Sequence, residues 1–163
     1  MKRNARAPQN ALVFAYGSNM NSRQMAARCP GAQVVSVAKL PDHRLTFAGR
    51  SARWGGGVAT IMPARRSSVV GVVWLVSAAN LERLDEFEGY PFVYERVSVL
   101  VDRSEGASLW CYAYVKNAVD ELAPPSREYL RTILDGYETA GAAVPTTLMR
   151  LYKQVRQDAI AAA

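Results

Sequence analysis

The sequence predicts an α+β fold, a small mixed sheet of barrel-like outline flanked by helices. Three observations lead to it. β-type runs crowd residues 33–76, helical periodicity gathers over 78–88 and after 124, and no regular βαβ alternation joins the two. A chain of 163 residues, 50% hydrophobic and 21% charged, is sized for one core of packed layers and is far from the apolar-poor composition of disordered chains.

Met1–Asn10 carries Lys2, Arg3 and Arg6 and reads as a frayed tail rather than a secretory signal. Residues 11–158 read as a single domain and 159–163 as a second tail. Ala11–Ala15 is an apolar run ending before Gly17, a buried strand that delivers its C-terminal end to a turn. Asn21, with Gln24 three residues on, has the spacing of a helix-starting box, and Pro30-Gly31 stops that helix. Four short strands are then expected, Gln33–Leu40, Arg44–Ala48, Val58–Met62 and Ser68–Val76, separated by Pro41-Asp42, Gly55-Gly56-Gly57 and Pro63. Ser77 is an N-cap for a helix through Leu81 and Leu84 that must end at Gly89. Strands Val93–Val101 and Ser108–Val115 follow. Pro124-Pro125-Ser126 opens a helix with Leu130, Ile133, Leu134 and Tyr137 on one stripe. Pro145 opens another with Leu148, Leu151, Tyr152 and Val155, and both are expected to lie on the sheet.

Two cysteines, Cys29 and Cys111, with one histidine exclude a disulfide scaffold and a structural zinc site, and a reducing cytoplasm fits them. The longest apolar stretch, Val69–Val76, is far short of the roughly 20 residues of a membrane-spanning helix. Twenty Lys plus Arg against fourteen Asp plus Glu give a net charge of +6, compatible with nucleic acid, an anionic membrane surface or a small carboxylate substrate. Arg44, Arg50, Arg53, Arg65 and Arg66, with Trp54 among them, form either a nucleic-acid face or an ordinary solvated surface, and the second is the reading taken.

Tyr16-Gly17-Ser18-Asn19 lies between a strand end and a helix start, where unpaired backbone N–H groups point outward. Gly17 admits a ligand close to the backbone, so the turn suits a carboxylate or a developing oxyanion; the alternative is a plain turn with polar caps. Glu88 falls four residues after Leu84 and seven after Leu81, on the face the leucines bury. It is also the last residue before Gly89, where the helix dipole and desolvation both raise a carboxylate pKa, as a proton shuttle requires. The alternative is a frayed last turn with Glu88 in water. His43 reads as a surface or capping residue and Cys111 as a buried thiol.

Taken together, these residues resemble the γ-glutamylcyclotransferase family, the AIG2-like superfamily. The ordered strings are Phe14-Ala15-Tyr16-Gly17-Ser18-Asn19-Met20, Trp54-Gly55-Gly56-Gly57-Val58-Ala59-Thr60-Ile61, Gly71-Val72-Val73-Trp74, Leu84-Asp85-Glu86-Phe87-Glu88-Gly89, Tyr94, and Ala123-Pro124-Pro125-Ser126. The resemblance covers about Leu12 to Leu151. It implies a cytoplasmic enzyme that releases 5-oxoproline from a γ-glutamyl dipeptide or amine as the substrate's α-amino group attacks its own γ-carbonyl. Glu88 would be the catalytic acid/base, and Tyr16, Gly17, Ser18, Asn19 and Tyr94 would bind substrate. No metal, organic cofactor, nucleic acid or membrane enters the scheme, and a homodimer is left open. Asn19 after Ser18 resembles the γ-glutamylcyclotransferase branch rather than the glutathione-specific or γ-glutamylamine branches. Leu148 departs from the pattern, standing where the animal enzyme has a tyrosine three residues after its proline. The competing expectation from a different class is a catalytically silent AIG2-like protein that kept the pocket for binding or interaction.

Overall fold

The computed structural model describes residues 9–119 and 121–163. Five strands, β1 (Asn10–Ala15), β2 (Gln33–Ser51), β3 (Gly56–Ser77), β4 (Tyr94–Arg103) and β5 (Leu109–Lys116), close a barrel in the order β1-β3-β2-β4-β5. Every neighbouring pair is antiparallel except the closing one, where β1 runs parallel to β5 at Val13 and Tyr112. Four helices surround it: α1 (Ser22–Arg28), α2 (Ala78–Glu88), α3 (Arg127–Thr139) and α4 (Thr146–Ala161), with a 3-10 turn at Ser18–Met20. The α+β barrel flanked by helices is therefore as the sequence predicts.

The core is apolar and continuous. Val13, Phe14, Val72, Val73, Val76, Leu130 and Ile133 are all under 3% exposed, and each such side chain contributes about 1.5–3 kcal/mol on burial. Ser77 caps α2 by accepting the Asn80 N–H at 3.1 Å, and Ser126 caps α3 by accepting the Tyr129 N–H at 3.2 Å. Both caps lie where the sequence puts them.

One expectation needs correction. The four strands of residues 33–76 are two long ones, because Pro41 and Pro63 fall beside a register shift where ladder bonds are already interrupted. Pro41 faces Ser68 while His43 faces Pro63; between them Asp42 and Arg66 take positive φ, and Asp42 Oδ1 accepts the Arg66 N–H at 2.9 Å. The two C-terminal helices differ in how deeply they pack, and α4 shares a groove with residues of β2 and β3. α3 buries Leu130, Ile133 and Tyr137 and packs its Gly136 against Met20 and Asn21, whereas α4 fully buries Leu148 alone. At the two ends, Asn10 pairs with Ser77 and α4 continues through Ala161, while residues 1–8 of the stretch read as an N-terminal tail lie outside the described residues. No described helix is long and apolar enough to cross a membrane.

Candidate active site

β1 hands the chain to Tyr16 and Gly17 inside the barrel mouth. An added Cβ on Gly17 would stand 3.0 Å from Ala59 Cβ and 3.3 Å from the Tyr129 hydroxyl, tighter than ordinary contact, so glycine eases the turn's close approach to β3 and α3. The 3-10 turn begins with the Met20 N–H on Gly17 O at 3.0 Å and the Asn21 N–H on Ser18 O at 3.0 Å. The N–H groups of Gly17, Ser18 and Asn19 precede that ladder and have no helical acceptor.

The turn is braced from α1. Asn21 Oδ1 accepts the Gln24 N–H at 3.0 Å, as the helix-starting spacing predicts. The Gln24 side chain does not return to the cap, however; its Nε2 donates to Ser18 Oγ at 2.8 Å and to Asn19 Oδ1 at 3.1 Å. One turn on, Arg28 Nη1 donates to Asn19 Oδ1 at 2.9 Å and lies 3.4 Å from Glu88 Oε1. The Arg28 guanidinium also covers the Phe87 ring, 4.8 Å from its centroid, and its side chain is 7% exposed.

Glu88 ends α2, and its side chain turns inward, 15% exposed. Its Oε1 accepts the Asn19 Nδ2–H at 2.9 Å. Burial raises the carboxyl pKa above its ordinary value, while the Arg28 charge, the Asn19 hydrogen bond and the Arg53 charge oppose that rise. A buried acid with a raised pKa has the chemistry a proton carrier needs.

Tyrosines wall the rest. Tyr94 OH donates to Ala59 O at 2.9 Å, and Tyr129 OH accepts the Ala59 N–H at 3.1 Å, so both polar groups of one β3 residue are tied to phenols. Tyr16 OH donates to Tyr114 O, and Tyr114 OH donates to Asp85 Oδ1 at 2.6 Å. Burial pushes the phenols of Tyr16, Tyr94 and Tyr114 upward and that of Tyr129 to about 12, so all four stay protonated near neutral pH.

Two connected spaces result. An inner cavity of about 50 Å³ is lined by Tyr16, Gly17, Ser18, Asn19, Glu88 and Tyr94 together with Tyr129, and an outer cleft of about 310 Å³ shares Ser18, Glu88, Tyr94 and Tyr129 with it. All six residues singled out from the sequence thus meet at one place.

Sequence reasoning missed Arg28, Gln24 and Tyr129. Tyr129 carried a signal, being three residues past the Ser126 cap on the buried stripe of α3. Gln24 read only as the partner of Asn21 in a helix-starting box, and Arg28 carried no signal, since a polar residue on a short surface helix reads as solvated. The arginines treated as one group separate: Arg50 and Arg53 line the outer cleft, Arg44 lines a groove beneath α4, and Arg66 lies at the β2–β3 register shift. Leu148 borders that groove and neither of the two connected spaces, so its departure from the family pattern falls in the packing of α4. His43 Nδ1 pairs with Pro41 O at 2.8 Å, and burial pushes the Cys111 thiol up to about 11.

The chain is similar to proteins of one family. A sequence model described as "Gamma-glutamyl cyclotransferase, AIG2-like" matches residues 13–140. The chain is similar to gamma-glutamylcyclotransferase of Mus musculus, 38% identical over 135 residues that make up 80% of this chain and 71% of the mouse protein. The Homo sapiens gamma-glutamylcyclotransferase is 36% identical over 138 residues, 82% of this chain and 73% of the human one. A solved gamma-glutamyl cyclotransferase superposes with a TM-score of 0.79 at 35% identity, covering 87% of this chain and 86% of that one. Every residue lining the two connected spaces falls within the matched stretch, and the chain belongs to the γ-glutamyl cyclotransferase, AIG2-like family.

Proposed function

We infer that this protein releases 5-oxoproline from a small γ-glutamyl compound, with Glu88 relaying the protons. The supporting observation is that one inward-turned carboxylate, Glu88, lines the inner cavity together with Gly17 and Ser18, and that Ser18 and Glu88 also line the outer cleft. The name gamma-glutamylcyclotransferase carried by its relatives supports the reaction class.

In this reading the glutamyl part occupies the inner cavity, held by the N–H groups of Gly17 and Ser18, and the leaving amine extends into the outer cleft. The substrate's own α-amino nitrogen attacks its γ-carbonyl carbon, so the enzyme's task is to fold one molecule into a ring-like pose, worth several kcal/mol. A C–N bond forms, the carbonyl electrons move to oxygen, and their return expels the leaving nitrogen. The ring nitrogen gives up two protons and the leaving nitrogen gains two; a carboxylate that relays each in turn ends as it began. Among the titratable groups lining the inner cavity, the phenols are held protonated, which leaves Glu88 as the group able to exchange near neutral pH. Asn19, Gln24 and Arg28 are positioning residues that fix the turn and the carboxylate relative to each other.

The reading takes residues 11–158 as one domain, with every group it uses drawn from a single chain. A reducing cytoplasm suits the two unpaired, buried thiols Cys29 and Cys111. The test is incubation of the purified protein with γ-glutamyl dipeptides and amines, following 5-oxoproline and free amine. Equimolar release supports the reading, and binding without product across the panel overturns it in favour of a silent binding protein.

A further inference from the structure

The mouth of the site is more cationic than proton relay requires. Arg50, Arg53 and Lys116 all line the outer cleft. None of the three takes part in an ion pair among the described residues, whereas Arg28, deeper in the same wall, lies against Glu88. Glu86 is the only further carboxylate among the described lining residues, so two positive charges remain in excess around the opening. Two of the cations are steadied by the wall itself. The Arg53 guanidinium lies 5.3 Å from the Trp54 ring centroid, and Lys116 Nζ lies 5.4 Å from that of Tyr94, whose ring also lines the inner cavity. Cations fixed at the edge of a partly enclosed cleft, and facing its space, attract anions entering it.

Resting on the cyclotransferase reading above, we propose that Arg50, Arg53 and Lys116 form an anion subsite for the leaving portion of the substrate, and that the preferred leaving amine carries two carboxylates. The glutamyl end takes the Gly17–Ser18 turn; the leaving nitrogen then lies by Glu88, and whatever it bears projects into the cationic cleft. Two carboxylates match the two excess charges, one carboxylate satisfies them in part, and a plain alkylamine leaves them unmatched. Trp54, Val58 and Phe87 line the same cleft and give the connecting methylenes an apolar surface. Cations that contact the leaving portion equally in the ground and transition states act on KM more than on kcat.

The experiment measures kcat/KM for 5-oxoproline release from three substrates of fixed glutamyl end: γ-glutamyl-propylamine, γ-glutamyl-alanine and γ-glutamyl-glutamate. The expected order is propylamine below alanine below glutamate, with about tenfold or more between the extremes at low ionic strength and a smaller span at high salt. In the Arg53→Gln/Lys116→Gln double variant the ratio between the extremes falls toward one, chiefly through KM. Taking the ratio cancels any effect the two charges have on Glu88. A flat series in the unmodified protein, or a ratio unchanged in the double variant, overturns the anion subsite while leaving the cyclotransferase reading intact. Silence on all three substrates overturns both.

Discussion

The Asn19 side-chain amide donates to Glu88 Oε1 across 2.9 Å, joining the turn after β1 to the last residue of α2. Its carbonyl oxygen meanwhile accepts from Gln24 at 3.1 Å and Arg28 at 2.9 Å, so the orientation of the amide is set by two donors that can only approach its oxygen. One side chain therefore aligns the backbone cradle with the acid opposite it, its amide engaged at both nitrogen and oxygen, while Arg28 Nε, in the same network, has no partner among the described residues.

Glu88→Gln keeps the shape and the Oε1 acceptor and removes the proton exchange. Release of 5-oxoproline is expected to fall by about 10²–10⁴ or more, with the circular dichroism spectrum unchanged. Unchanged turnover in the folded variant removes Glu88 from the mechanism.

The pH profile follows from the direction of the Glu88 shift. Its pKa lies above the ordinary 4.5 because burial disfavours the carboxylate. The rate therefore declines, as pH drops, at higher pH than an ordinary carboxylate would dictate. Removing the Arg28 charge in Arg28→Met takes away an opposing influence, so that limb moves up further in pH, whereas Arg28→Lys restores it in part. The stability linkage has the same origin. A raised folded-state pKa means that Glu88's contribution is present below its unfolded value and is lost as pH rises through the folded one. Denaturant titrations across acidic to neutral pH should show that loss in the unmodified protein and not in Glu88→Gln.

Gly17→Ala tests the close approach of the turn to Ala59 and Tyr129. The added methyl forces contacts of 3.0 and 3.3 Å that the turn relieves by moving away from Glu88. A stability loss of about 1–3 kcal/mol is expected, with a drop in kcat/KM larger than the thermal unfolding shift explains.

Tyr129→Phe removes the acceptor of the Ala59 N–H, which is otherwise bound at 3.1 Å. Leaving that buried donor unpaired should cost about 1–3 kcal/mol, read as a lower midpoint in denaturant. Tyr94→Phe removes the donor to Ala59 O instead and provides the paired measurement on the same residue. If neither variant shifts the midpoint, the two phenols do not anchor β3.

Much of the site was legible because it is local. The Ser77 cap, the Gly89 stop and the Leu81–Leu84–Glu88 spacing together place an acid at the inner end of α2, since helical periodicity and capping act over a few residues. The turn at Gly17–Asn19 announced itself in the same way, through a strand end followed at once by a helix start. The number of strands was not legible. Pro41 and Pro63 look like breaks along the chain, and only their placement beside one register shift lets both long strands pass through.

What the sequence determined alone was the kind of fold, the two segments that meet at the candidate site, and a family resemblance strong enough to name a reaction. Tertiary structure decided that Arg28 is buried against Glu88, that Gln24 serves the turn instead of its own cap, and that Arg50, Arg53 and Lys116 gather at one opening. The division has a physical cause. Caps, turns and periodicity arise from neighbours in the chain, whereas the environment of a charge depends on which distant surfaces the closing barrel brings against it.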